Sequence, residues 1–431
     1  MTTNTTAQFE LYPGTQIFEF DSSTRDKTYR VEINTGKHFQ VNEKLYYLLD
    51  CLRVPMSLPK LAAEFQRRTG QTVPPDQLQQ LSDRLTAQGI IVQAGQATQS
   101  SRPEPQASSY LGLHYRRDLI SAAAIAPLAR LLQFFFRRPL AIALALVIAG
   151  THLLAYGQVG FPPQLEMERI SWPLFYLIIF ASIGLHELGH LAACRRWGCS
   201  HGPLGVGLYF FNPVFYVDVT AAWRLSRWQR AVVDAGGIYL QLLCVPIFWL
   251  LFQWTGDPTY LMAIVSLDLM IVSNLEPFLK LDGYWLLSDL TGVPNLHTRT
   301  GEEVKRAWLW LLWRLGRRSE PPPASPFGQW SPRVRWVIFG YSGLSMLLWP
   351  VVVLAMIPLL FEVISLYPGL WQAAFTALGE AIRLRDLGLF FAQLQVLFLP
   401  TLMLVNIGFL LKITLDRWRK ARQERRNLQH S

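Results

Sequence analysis

The sequence predicts a polytopic α-helical membrane protein of about six transmembrane helices, preceded by an α+β domain of winged-helix outline. Three observations predict it. Of the 431 residues, 51% are hydrophobic and only 16% are charged, and the mean hydropathy is +0.20. That balance is expected when apolar spans are joined to a soluble part. From residue 139 onward, apolar runs recur at about the 20-residue length that crosses a bilayer. Lys and Arg gather at the ends of those runs and leave alternate loops poor in positive charge.

The N-terminal domain, 10–93, is read element by element. Gln16-Ile17-Phe18-Glu19-Phe20, Thr28 to Ile33 and His38 to Val41 are short β-rich runs separated by turn residues. Asn42 is placed to cap a helix carrying Leu45, Leu48, Leu49 and Leu52. Ser57 is placed to cap a second, from Pro59 to Arg68, which stops before Gly70. A third begins at Pro75-Asp76, carries Leu78, Leu81 and Leu85, and stops at Gly89. Ile90-Ile91-Val92 returns as a strand. No cleavable signal peptide precedes this domain, so it is expected to stay in the cytoplasm.

Residues 94–137 follow as a linker and a basic interfacial segment. Ala94 to Tyr110 is rich in Gln, Ser, Ala and Pro. Arg116, Arg117, Arg130, Arg137 and Arg138 then alternate with Leu128, Leu131, Leu132 and Phe134 to Phe136, which suits a helix lying on the membrane surface. Six spans are expected at about 139–157, 172–194, 231–254, 259–278, 335–362 and 388–413. The core is 138–294, with a cytoplasmic loop over 295–334, where Trp308, Trp310 and Trp313 mark an interfacial helix. The last spans and a basic tail complete the chain over 335–431. With both termini inside, Arg195, Arg196, Arg224, Arg227 and Arg230 all fall in the cytoplasm, while Arg383 and Arg385 run against the trend. The net charge of +10 is thus accounted for at the ends of spans, and nucleic acid is not an expected partner. Four scattered cysteines make no disulfide framework.

Chemistry concentrates in the second span, at His186-Glu187-Leu188-Gly189-His190. Ionisable groups are costly in hydrocarbon, so a cluster of three there points to function. Positions four apart share one helix face, so His186 and His190 are placed to hold one metal ion, with Glu187 beside it to act on water. A second signal, Asn274-Leu275-Glu276-Pro277-Phe278-Leu279-Lys280-Leu281-Asp282-Gly283-Tyr284, closes the fourth span at a similar depth. Asp282 is the candidate third ligand, and two His with one carboxylate leave a fourth position open. Asp218 and Glu276 are alternative carboxylates, and Gly236-Gly237 allows close helix packing.

These two motifs resemble those of the site-2 protease family of intramembrane metalloproteases: "HELGH" for the first, "NLEPFLKLDGY" for the second. The resemblance implies one catalytic Zn2+ held by His186, His190 and Asp282, with Glu187 as general base. It implies that Asn274 holds the oxyanion or the substrate backbone, and that Pro277 breaks the helix near the substrate. It also implies that Gly202 to Trp223 forms a β-hairpin along the substrate path. Glu276 departs from the family, which has an apolar residue there. The N-terminal pattern, with "HFQVNEKLYYLLDCL" and "VPPDQLQQLSDRLTAQGII", is similar to the PqqD-like recognition element of ribosomal-peptide modification systems. The combination resembles the peptide zinc metalloproteases of natural-product peptide clusters. The implied partners are membrane lipids, a membrane-associated or leader-bearing peptide substrate, and export or modification machinery. The implied location is a bacterial-type inner membrane. Two other readings stand beside it: a membrane peptide-binding or export partner without catalysis, and a regulatory protease acting on a single-span protein such as an anti-sigma factor.

Overall fold

The structure, a computed structural model, describes residues 7–94 apart from 23–26 and 34–37. It also describes 113–394 apart from 162, 210, 211, 276–279, 294, 295, 324, 326, 328 and 329, and scattered positions beyond 394. The chain divides into two compact units. One gathers Met1–Leu111, Ala221–Ala231 and Leu286–Ser342; the other gathers Gly112–Thr220, Val232–Trp285 and Gly343–Ser431.

In the first unit the N-terminal elements run β1 (Gln8–Leu11), β2 (Gln16–Phe20), β3 (Thr28–Glu32), β4 (His38–Asn42), α1 (Glu43–Cys51), β5 (Met56–Ser57), α2 (Leu58–Thr69), α3 (Pro75–Ala87) and β6 (Ile91–Gln93). Strands β2, β3 and β4 form an antiparallel meander with Val31 opposite both Ile17 and Phe39. A second sheet has β1 at its centre, between β5 and β6. Asn42 caps α1 by accepting from Leu45 N at 2.9 Å, which satisfies one of the otherwise unpaired N–H groups of the first turn. Ser57 occupies the cap position of α2 as expected, but its side chain makes no capping bond. Val31, Leu49, Leu52, Leu61 and Ile91 make the core. The 221–231 segment is tied to this sheet by Arg224 on Glu32 at 2.6 Å and by the Arg30 guanidinium stacked on Trp223.

From residue 113 onward come β7 (Leu113–Ile120), α4 (Ala122–Leu132), α5 (Arg138–Val159), α6 (Trp172–Arg196), β8 (Leu204–Tyr209), β9 (Asn212–Val217), α7 (Arg227–Leu242), α8 (Cys244–Thr255), α9 (Pro258–Leu275), α10 (Asp282–Thr291), α11 (Leu296–Arg314) and α12 (Pro332–Leu384). Arg116 and Arg117 do not belong to a surface helix. They lie on β7, which joins the β8–β9 hairpin in an antiparallel sheet of order β7-β8-β9.

Among the described residues four segments are long and apolar enough to cross a membrane: Arg138–Val159, Trp172–Arg196, Arg227–Thr255 and Pro258–Leu275. The third is interrupted. Pro246 has no N–H for the Leu242 carbonyl, and Leu243 N bonds Leu240 O at 3.2 Å in a tightened turn, where α7 ends and α8 starts. The expected fifth span lies inside α12, which does not stop near 362 but continues to Leu384, ending where Arg385 adopts a φ of 56°. Of the expected sixth, residues 388–394 are helical, and beyond 394 only scattered positions are described. Within this unit α6 is central, packed against α4, α9 and β9. An apolar core of Ala155, Phe175, Val245, Phe248, Ile264 and Leu267 packs around its N-terminal half.

Candidate metal centre

Helix α6 places His186 and His190 one turn apart, and both are buried, 8% and 7% exposed. Asp282 opens α10, and its Oδ2 lies 2.8 Å from His186 Nε2 and 3.3 Å from His190 Nε2. The two Nε2 atoms are 3.2 Å apart. The protein therefore brings together residues that are 96 positions apart in sequence.

The opposite side of each ring decides what these atoms carry. His186 Nδ1 meets Gln241 Oε1 at 3.0 Å, and His190 Nδ1 meets the Val233 carbonyl at 2.8 Å. Both partners only accept, so both Nδ1 atoms donate, and in the neutral rings both Nε2 lone pairs face the Asp282 carboxylate. Three acceptors converging in a buried space repel unless a cation lies among them. The set fits zinc: tetrahedral N and O ligands at roughly 2.0–2.1 Å are about 3.3 Å from one another. The space at their tips is kept clear by Gly237, where a Cβ would lie 2.5 Å from His190 Nε2 and 2.6 Å from His186 Nε2. Helices α6 and α7 approach this closely because Gly189 and Gly236 meet backbone to backbone, with no room for a Cβ on Gly189.

Asn274, at the end of α9, turns its amide to the third ligand. Its Nδ2 donates to Asp282 Oδ2 at 2.8 Å, and its Oδ1 accepts from Asp282 N at 3.4 Å. Gly283 lets the start of α10 abut the Leu275 backbone. Pro277 and Glu276 lie outside the described residues. Glu187 is half-buried beside the cluster, and its carboxylate accepts from the Val217 N–H at the end of β9. Asp218 is not part of the cluster; it accepts from Thr220 N at 3.0 Å and closes a turn. Asp268, in α9, is engaged by His152 at 3.0 Å and by the Tyr156 hydroxyl. Gln241, Gly237 and the Val233 carbonyl were not singled out for the metal from sequence. Their signal is a spacing of four along α7, with an amide buried inside an apolar segment.

Fold and site together define a class, a protein with membrane-length helices and a buried His-His-carboxylate group able to hold a metal ion. Over 118 residues the chain is 30% identical to a Bacillus subtilis (strain 168) protein named "Putative peptide zinc metalloprotease protein YydH". The match covers 27% of this chain and 47% of that protein, so the chain spans about half the length of the curated relative it matches. No family model matches the chain, and no solved structure does. The similarity suggests a peptidase, and with the His-His-Asp group it suggests zinc.

Proposed function

We propose that this chain is a zinc-dependent intramembrane endopeptidase of the site-2 protease type. The observation that carries the proposal is the convergence of His186 Nε2, His190 Nε2 and Asp282 Oδ2 beside Glu187, on a helix of membrane-crossing length. His186, His190 and Asp282 would hold the zinc ion, which when bound would supply Lewis acidity toward water and a substrate carbonyl. The remaining work belongs to the chain. Glu187 takes a proton from the attacking water as the new C–O bond forms, then delivers it to the amide nitrogen as the C–N bond breaks. Asn274 holds Asp282 in orientation. The substrate lies extended along β9, which the sheet order leaves at an edge.

In this reading the substrate is a membrane-associated peptide or protein. A leader-bearing ribosomal peptide recruited by the PqqD-like domain over 10–93 fits the N-terminal resemblance. The enzyme sits in a bacterial inner membrane with both termini cytoplasmic, in contact with lipid and with export or modification machinery. The test is Glu187→Gln in the purified full chain, with zinc content and peptide cleavage measured together. Zinc should be retained while cleavage falls by at least about 100-fold. Cleavage at the wild-type rate would remove Glu187 from the mechanism. Absence of zinc from both proteins would remove the metal.

A further inference from the structure

Val233, Gly237 and Gln241 recur every fourth residue and so share one face of α7. The histidines they meet are also four apart, and the order is antiparallel: Val233 answers His190, and Gln241 answers His186. Gly237 falls between them, at the tips of both Nε2 atoms. A backbone carbonyl suffices for His190, whereas His186 depends on a side chain.

We propose that Gln241 is a positioning residue, holding His186 in the tautomer that presents Nε2 to the metal ion; this rests on the zinc reading above. Gln241 is 3% exposed, and its amide is itself held. Its Nε2 faces Ser182 Oγ at 3.5 Å, and that hydroxyl donates to Ile179 O at 2.7 Å. The donors therefore run one way, from Gln241 through Ser182 to a backbone carbonyl, which leaves Oε1 for the His186 N–H. With the proton moved to His186 Nε2, an N–H would point at the metal position and one of three protein ligands would be lost. Ser182 sits one turn before His186 on α6, so the two ends of the Gln241 amide contact successive turns of the same helix.

The experiment uses the full chain in detergent with the variants Gln241→Met, which keeps length and apolar packing, and Gln241→Glu, which keeps the acceptor. Zinc affinity is measured by competition with a chromophoric chelator, and ligand geometry by the visible absorption of the cobalt-substituted protein. Gln241→Met should bind zinc about 10- to 100-fold more weakly, with an altered cobalt spectrum. Gln241→Glu should remain within about threefold of the wild type, since a carboxylate accepts the same N–H. Gln253→Leu, which removes an exposed amide pair with Gln158, should change neither readout. Should Gln241→Met not fold, Gln241→Leu takes its place. Wild-type affinity in the folded apolar variant overturns the inference, as does a Glu variant as weak as the apolar one, because only packing would then matter. A wild-type chain whose zinc binding is absent, or is untouched by His186→Ala, overturns the zinc reading and this inference together.

Discussion

A histidine ligates through a lone pair, and the ring nitrogen that bears it is chosen by the hydrogen bond on the other side. Here α7 supplies the partner on the other side of both rings, and Gly237 of the same helix keeps the space at the two Nε2 tips clear. Gly237→Ala therefore puts a methyl group within 2.5–2.6 Å of both Nε2 atoms, in the space a metal ion between them would need. The expected outcome is loss of zinc by at least about 100-fold in affinity, since two of three ligands are displaced. Equilibrium dialysis checks it, and undiminished zinc uptake would show that the ion lies elsewhere. Much of this centre was legible in the sequence. The spacing of His186 and His190, and the second motif ending at Asp282, carried it because charged groups in apolar runs are costly and conspicuous. Gln241 was not legible because one uncharged amide in a span reads as a packing or hydrogen-bonding residue. Asn274 was expected to hold the oxyanion or the substrate backbone; its bond to Asp282 is a contact across eight residues that no spacing rule specifies.

Between elements, the contact of α6 with α7 sets the geometry of the centre. Gly236 faces Gly189 O at 2.8 Å and Ala193 Cβ at 2.9 Å from where its own Cβ would stand, and neither neighbour is a flexible side-chain end. Gly236→Ala must push the helices apart by a few tenths of an ångström, an overpacking that costs about 1–3 kcal/mol. Gly150→Ala, on α5 with nothing within 4 Å, should instead be neutral or stabilising by up to about 1 kcal/mol, since alanine favours the helix. The midpoints of SDS-induced unfolding separate the two, and equal midpoints would mean that α6 and α7 do not meet at these glycines. The elements that sequence missed failed for physical reasons. Strands β1 and β5 have four and two residues, too short for an alternating pattern to register. Strand β7 reads as a basic interfacial segment until its partner β8 is known, because pairing, not composition, makes it a strand. The other strands and the helices between residues 16 and 93 were legible because the Asn42 cap, the glycine stops and the periodicity agree there.

For the whole molecule, the distribution of charge makes a prediction about sidedness. Helix α6 ends in Arg195-Arg196, and α7 is preceded by Arg224 and begins with Arg227 and Arg230, so basic residues flank the β8–β9 hairpin on both sides in sequence. The segments joining α5 to α6 and α8 to α9 carry a single basic residue between them, Arg169. Retention of the basic ends in the cytoplasm puts the β8–β9 segment inside and the α5–α6 connection outside. The native cysteines are all buried, so an introduced exposed thiol can be labelled selectively. Glu168 and Ser200 are both exposed, one in each segment. In intact spheroplasts, Glu168→Cys should react with a membrane-impermeant maleimide, and Ser200→Cys should react only after lysis. The reverse pattern would invert the topology and place the metal centre nearer the outer face, out of reach of a cytoplasmic peptide. Labelling of both thiols before lysis would mean that α6 does not cross the bilayer, and the intramembrane reading of the site would fall with it.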